Sequence, residues 1–177
     1  DRVGGAPVPL APDYLPEELE LPAIEELWQI AYLPGGSRIR VRENLAGHRL
    51  GLEAAVHAQE VVFARLRHWL RSRASEVIVP RAHSLAGELG FEVNRVSIRN
   101  QRSRWGSCSS KKNLSLNLKL LFVTPRQLRY VLLHELCHTV EMNHSARFWG
   151  LLEEFEPESR ALKRSMRRAW REVPVWV

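Results

Sequence analysis

Two histidines, His134 and His138, stand four residues apart, and Glu135 directly follows the first. On a helix, at about 100° per residue, their imidazoles lie roughly 40° apart and can approach one cation. Zinc accepts neutral imidazole nitrogens, and a hydrolytic site keeps one coordination position for water. Glu135 sits beside both rings, where a carboxylate can take a proton from that water and return it to a leaving group. The H-E-x-x-H pattern therefore points to metal-assisted hydrolysis. Chance alone produces it in roughly 3% of chains of this composition, so its context decides.

His144 is the candidate third protein ligand. On an unbroken helix it would point about 240° away from His138, so the helix must break between Val140 and Asn143. Asn143 tolerates left-handed backbone and is the expected breaking point. A carboxylate on the next helix, Glu153 or Glu154, is the rival ligand. Requiring a histidine at this one offset lowers the chance occurrence to about one in a thousand. Cys137, about 60° from His134, reads as a small buried residue rather than a ligand.

The elements around these residues are legible in outline. Thr124-Pro125-Arg126-Gln127 starts a helix: a threonine cap, proline at the first helical position and glutamine closing a capping box. That helix is expected to reach about Glu141. Ser145 caps the next, and Pro157 opens a last one with Leu162, Met166 and Trp170 on its inner face.

Upstream, Leu27–Tyr32 and Arg38–Arg42 read as strands joined in a hairpin by residues 33–37, with a third strand at His48–Leu52. Val62, Leu66, Trp69 and Leu70 mark a helix face, and Pro80 either kinks that helix or opens a second one ending at Gly90. Val93–Arg99 alternates as a strand. Leu114, Leu116, Leu118 and Leu120 alternate with polar residues in another. Strands precede helices without regular βαβ alternation, so the class is α+β.

The chain of 177 residues is 45% hydrophobic and 26% charged, a mixture that supports a folded core. No stretch approaches the roughly 18 apolar residues of a membrane span. The N-terminus has no basic-then-apolar export pattern, and Cys108 and Cys137 read as reduced thiols in a cytoplasmic protein. Five of the ten prolines fall within residues 1–26 (Pro7, Pro9, Pro12, Pro16, Pro22), which read as a mobile or loosely docked arm, leaving 27–177 as one domain. The net charge of +6 favours anionic partners modestly.

The run Arg102-Ser103-Arg104-Trp105-Gly106-Ser107-Cys108-Ser109, then Leu116-Asn117, the stretch Tyr130–His138, Asn143-His144-Ser145 and Phe148-Trp149 resemble the YgjP-like (DUF45) metallopeptidases, relatives of SprT-like and M48-type zincins. The resemblance is dense from Val96 to Trp149. It implies a zincin-like α+β fold, a small antiparallel or mixed sheet packed on helices around the H-E-x-x-H helix. It further implies zinc on His134, His138 and His144, Glu135 as catalytic base, and a bacterial cytoplasmic protein. Glu141 stands where metzincins have glycine, and no Met-turn is evident, so the metzincin label does not apply.

Candidate substrate contacts are Arg104, Trp105, Asn117 and Tyr130, with ordinary packing as the competing reading of each. Gly106 permits close backbone approach or simply turns the chain. The polar face of Asn113–Lys119 suits an edge strand that pairs with an extended peptide, or plain sheet structure. Lys163, Arg164, Arg167, Arg168 and Arg171 surround an apolar stripe, a solvated helix face or a nucleic-acid contact.

The leading expectation is a zinc metallopeptidase acting on peptide or protein substrates. A metal-dependent nucleotide (UTP-type) pyrophosphohydrolase is the alternative, favoured by cations near the metal. An SprT-like DNA-associated protease ranks last, since no zinc finger or helix-turn-helix accompanies the positive charge.

Overall fold

Alternating Glu18-Leu19-Glu20-Leu21 makes the first strand, β1 (Glu18–Leu21), with both leucines buried and both glutamates outward. A 3-10 turn, Pro22–Ile24, then buries Ala23 and Ile24. The computed structural model describes residues 14–35, 40–54 and 59–177. Residues 1–13 of the proline-rich arm, the end of the expected hairpin loop and the first two residues of the expected second strand thus lie outside the described residues. Within the expected arm, the glutamates and prolines mask a two-residue alternation whose leucines, Leu19 and Leu21, dock on the core.

The expected hairpin is also corrected. β2 (Glu26–Pro34) pairs in parallel with β4 (Arg49–Ala54), and β3 (Arg40–Asn44) pairs antiparallel with β4 from the far side. With β1 antiparallel to β2, the sheet order is β1-β2-β4-β3. Burial explains the order. β4 carries the fully buried Leu50 and Leu52 and takes an inner position, whereas Arg40, Arg42 and Glu43 leave β3 fit only for an edge.

Helix α1 (Gln59–Leu89) runs unbroken through Pro80. Its stripe of Val62, Phe63, Leu66, Trp69, Leu70, Ala74 and Ile78 is buried. Gly90, at φ 75°, ends it, and the Phe91 N–H donates back to the Ala86 carbonyl at 2.8 Å. The helix packs against β5 (Arg95–Arg99), the first strand of a second sheet.

That sheet has the order β5-β7-β6, with β6 (Gly106–Cys108) antiparallel and β5 parallel to β7 (Asn113–Asn117). The reading of Asn113–Lys119 as an edge strand is corrected: β7 is hydrogen-bonded on both sides, and β6 borders the open edge. The strand also stops early. Asn117 accepts from the Lys119 N–H and turns Leu118–Phe122 into a 3-10 segment that buries Leu118, Leu120 and Leu121.

Three helices complete the α+β fold: α2 (Pro125–Cys137), α3 (Ala146–Phe155) and α4 (Ser159–Glu172). Thr124 and Gln127 form the expected capping box, and Ser145 caps α3 through the Phe148 N–H. Helix α4 buries Leu162, Met166 and Ala169. Among the described residues no helix is long and apolar enough to cross a membrane.

Candidate metal centre

Helix α2 ends sooner than expected, at Cys137, with His138 as its C-cap. Turn bonds replace the helical ladder: Thr139 N–H donates to the Leu136 carbonyl at 2.9 Å, and Glu141 N–H to the Cys137 carbonyl at 2.8 Å. Asn143 is not among the residues with positive φ, so a left-handed residue at that position is not what reverses the chain. This tight turn brings His144 back over the end of α2.

The result is a convergence of three rings. His144 Nε2 lies 3.0 Å from His134 Nε2 and 3.1 Å from His138 Nε2. Among the described residues these three form the group able to ligate a metal, and Glu153 and Glu154 stand outside it. Glu153 instead accepts from Arg160 at 2.6 Å. Cys137 is fully buried, with its thiol pushed up to about 12 by burial, as suits a packed side chain. Both cysteines are free.

Phe148, fully buried, backs the triad. Its ring centroid is 4.9, 4.5 and 4.8 Å from those of His134, His138 and His144, and it stacks on His138. The histidine spacing carries no hint of this role. The signal was the Ser145 cap, which fixes Phe148 three residues into α3. His138 Nδ1 lies 3.0 Å from the Glu141 carbonyl, an acceptor only. The proton therefore sits on Nδ1, and the Nε2 lone pair faces the triad centre.

Burial lowers all three histidines from their ordinary range, His134 to about 2, with the charges of His138 and His144 adding to the effect there. Imidazoles that favour the neutral form can each offer one bare nitrogen at this point, and for His138 the Glu141 carbonyl makes that nitrogen Nε2. Nitrogens 3.0–3.1 Å apart come close to the roughly 3.3–3.4 Å expected of ligands 2.0–2.1 Å from one tetrahedral ion. Glu135 is 5% exposed, and its Oε2 is a buried oxygen without a hydrogen-bond partner. Burial pushes its carboxyl up to about 8. Donor set, tautomer and orphaned carboxylate oxygen all fit a divalent metal with its water.

Strand β6 runs directly beside Glu135, close enough that a Cβ at Gly106 would stand 2.7 Å from Glu135 Oε1. Ser107 and Cys108 continue along the same cleft past His138 and His144. On the other side of Glu135 the cleft passes between α2 and α4. Trp105, Tyr130, Val131 and Met166 line it there, with Arg104, Lys163 and Arg167 at the rim. The last two cations come from the helix read as a solvated basic face. Arg164, Arg168 and Arg171 are exposed, as that reading expects.

The other candidate contacts divide. Arg104 is exposed at the cleft mouth. Trp105, 8% exposed, packs edge-on against Trp170 at 4.8 Å and still borders the cleft. Tyr130, 4% exposed, sits with its ring 5.9 Å from that of His134. Asn117 is corrected: it is fully buried, donating to the carbonyls of Gln101 at 2.9 Å and Arg104 at 2.8 Å. It anchors the loop before β6 and has no surface left for substrate.

Among solved structures, the metallopeptidase zymogen of Pyrococcus abyssi abylysin is similar, at 25% identity and a TM-score of 0.43 over 51% of this chain and 90% of that one. No curated protein matches the chain. The model of the YgjP-like, metallopeptidase domain family matches residues 21–169, from the end of β1 nearly to the end of α4 and including every residue of the triad and its cleft. The chain belongs to the YgjP-like metallopeptidase family.

Proposed function

We propose that this metallopeptidase holds zinc on His134, His138 and His144 and cleaves peptide bonds with Glu135 as general base. The observation that carries the reading is the convergence of three Nε2 atoms beside a buried carboxyl group with an unpaired oxygen. When bound, the metal supplies Lewis acidity, which acidifies a water and polarises a carbonyl oxygen. Imidazole-only ligation favours zinc over the oxygen-seeking divalent ions.

Glu135 accepts the proton of the attacking water and delivers it to the amine leaving group. Its burial suits the second task, because a carboxyl raised toward neutrality is a competent acid. His138 is kept in the ligating tautomer by the Glu141 carbonyl. Phe148 fixes the three ring planes and keeps water from behind them. Strand β6 borders the cleft with its unpaired edge, which suits backbone hydrogen bonds to an extended peptide. Two free thiols favour a reducing, cytoplasmic setting.

Purification without chelator, followed by elemental analysis, tests the metal directly. One zinc per chain is expected in the parent protein and in Glu135→Gln, and a large loss in His138→Ala. Peptide cleavage is expected in the parent alone. A Glu135→Gln protein that cleaves peptides at the parent rate removes the assignment.

A further inference from the structure

The wall of the cleft between α2 and α4 plays no part in the hydrolytic step. Trp105, Tyr130, Val131 and Met166 are each no more than 8% exposed, so their lining of the cleft is a narrow apolar surface. Above it stand three cations from two separate elements: Arg104 from the loop before β6, and Lys163 and Arg167 from one face of α4. Glu135 is the one carboxylate in that lining. Arg104 and Arg167 make no ion pair among the described residues. Lys163 Nζ lies 4.8 Å over the Trp149 ring.

Three cations outnumber the single carboxylate of that lining, Glu135, and an anion that enters between them is drawn by their combined positive potential. The direction of the Lys163 shift agrees: burial, then the charges of Arg167 and Arg160, hold its ammonium below the ordinary range. The cleft therefore offers an apolar seat with a cationic rim, immediately beside Glu135.

We infer that this cleft receives a substrate residue with an apolar body and a carboxylate end, so that preferred peptides carry negative charge next to the scissile bond. The inference rests on the peptidase reading above and names the substrate class for the same site. The carboxylate is either an acidic side chain or the terminal carboxylate of the chain, and both present the same anion to Arg104, Lys163 and Arg167. Guanidinium groups bind such an anion in a bidentate manner, which adds geometric selection to charge. A peptide is favoured over a nucleotide because the seat is made of buried aromatic and aliphatic side chains continuous with the unpaired strand edge of β6.

The test separates binding from cleavage. Peptides in which one Glu or Gln is walked along a neutral sequence, each with a free or amidated C-terminus, are titrated onto zinc-loaded Glu135→Gln protein by fluorescence anisotropy. At one register the charged form should bind about tenfold tighter than its neutral partner, as a charge-assisted hydrogen bond implies. Loss of the preference on Glu→Gln exchange identifies the side chain as the source; loss on amidation identifies the terminus.

In Arg167→Glu the ratio should collapse to about one, and in Arg167→Lys most of it should persist. Circular dichroism and melting confirm that both variants fold. Equal binding of charged and neutral peptides at every register, with the parent enzyme still cleaving peptides, overturns this inference and leaves the peptidase reading standing. Acidic preference without any peptide cleavage by the parent upholds the cleft and sinks the peptidase reading. Arg167-dependent binding of a nucleoside triphosphate, with peptides ignored, overturns the peptide assignment.

Discussion

Gly106 lies against the carboxylate of Glu135: a Cβ there would stand 2.7 Å from Oε1 and 2.8 Å from Cγ. Neither group can yield easily. Gly106 is held in β6 by its pairing with Leu116, and Glu135 belongs to the buried part of α2. The glycine is therefore required for space, and the carboxylate is held in place by backbone rather than by hydrogen bonds.

Gly106→Ala should push Glu135 off its position while leaving the three histidines in place. A displacement of about 1 Å at a catalytic group costs on the order of a hundredfold in rate. The expected result is a kcat lowered about that much, with zinc content unchanged by elemental analysis. A variant with parental kcat would show that the carboxylate is not held by this contact.

Asn117 makes a second prediction, about stability rather than chemistry. Its amide bridges the carbonyls of Gln101 and Arg104 and its oxygen accepts from the Lys119 N–H, from a side chain that is itself fully buried. Asn117→Ala removes the donors of both carbonyls and leaves a gap at a fully buried position, and should cost about 1–3 kcal/mol. Urea unfolding measures it; a loss below about 1 kcal/mol would mean that water satisfies the loop instead.

The same residue shows what could and could not be read in the chain. The metal helix was legible because its capping box, apolar spacing and histidine pair are all local. Asn117 was not, because a polar residue between leucines looks the same whether its side chain meets substrate or a neighbouring loop. Strand order failed for a similar reason. Leu27–Tyr32 and Arg38–Arg42 sit close in sequence, but the apolar Leu50 and Leu52 claim the place between them. Lys163 and Arg167 were visible as charges, yet only the packing of α4 across α2 brings them to the cleft.

Phe148 should matter to the metal although it ligates nothing. Phe148→Ala removes a buried ring in contact with all three imidazoles and should destabilise the fold by about 3–5 kcal/mol. Rings left free to rotate should also weaken zinc binding by about ten- to a hundredfold, the usual effect of losing a support for a ligand. Competition with a chromogenic chelator reads the affinity. Parental affinity in a folded variant would mean that the α2 turn alone orients the ligands.

Far from the cleft, Glu26 and Arg73 make a pH-dependent clamp between β2 and α1. Arg73 Nε donates to Glu26 Oε2 at 3.0 Å, its Nη2 donates to Oε1, and Trp28 Nε1 adds a bond at 2.8 Å. Burial alone would raise the Glu26 carboxyl, but these donors outweigh it and hold the carboxyl below its ordinary 4.5. A depressed folded value means that the carboxylate contributes its full stability above pH 4.5 and loses it as pH falls through the folded value. Other carboxylates, and histidines buried neutral, also weaken the fold in acid, so the difference between parent and Glu26→Gln isolates this pair. That difference should be about 1–3 kcal/mol at pH 7 and shrink as pH falls below 4.5 in urea unfolding. A gap that stays constant over this range would mean that Glu26 is held by packing and not by its charge.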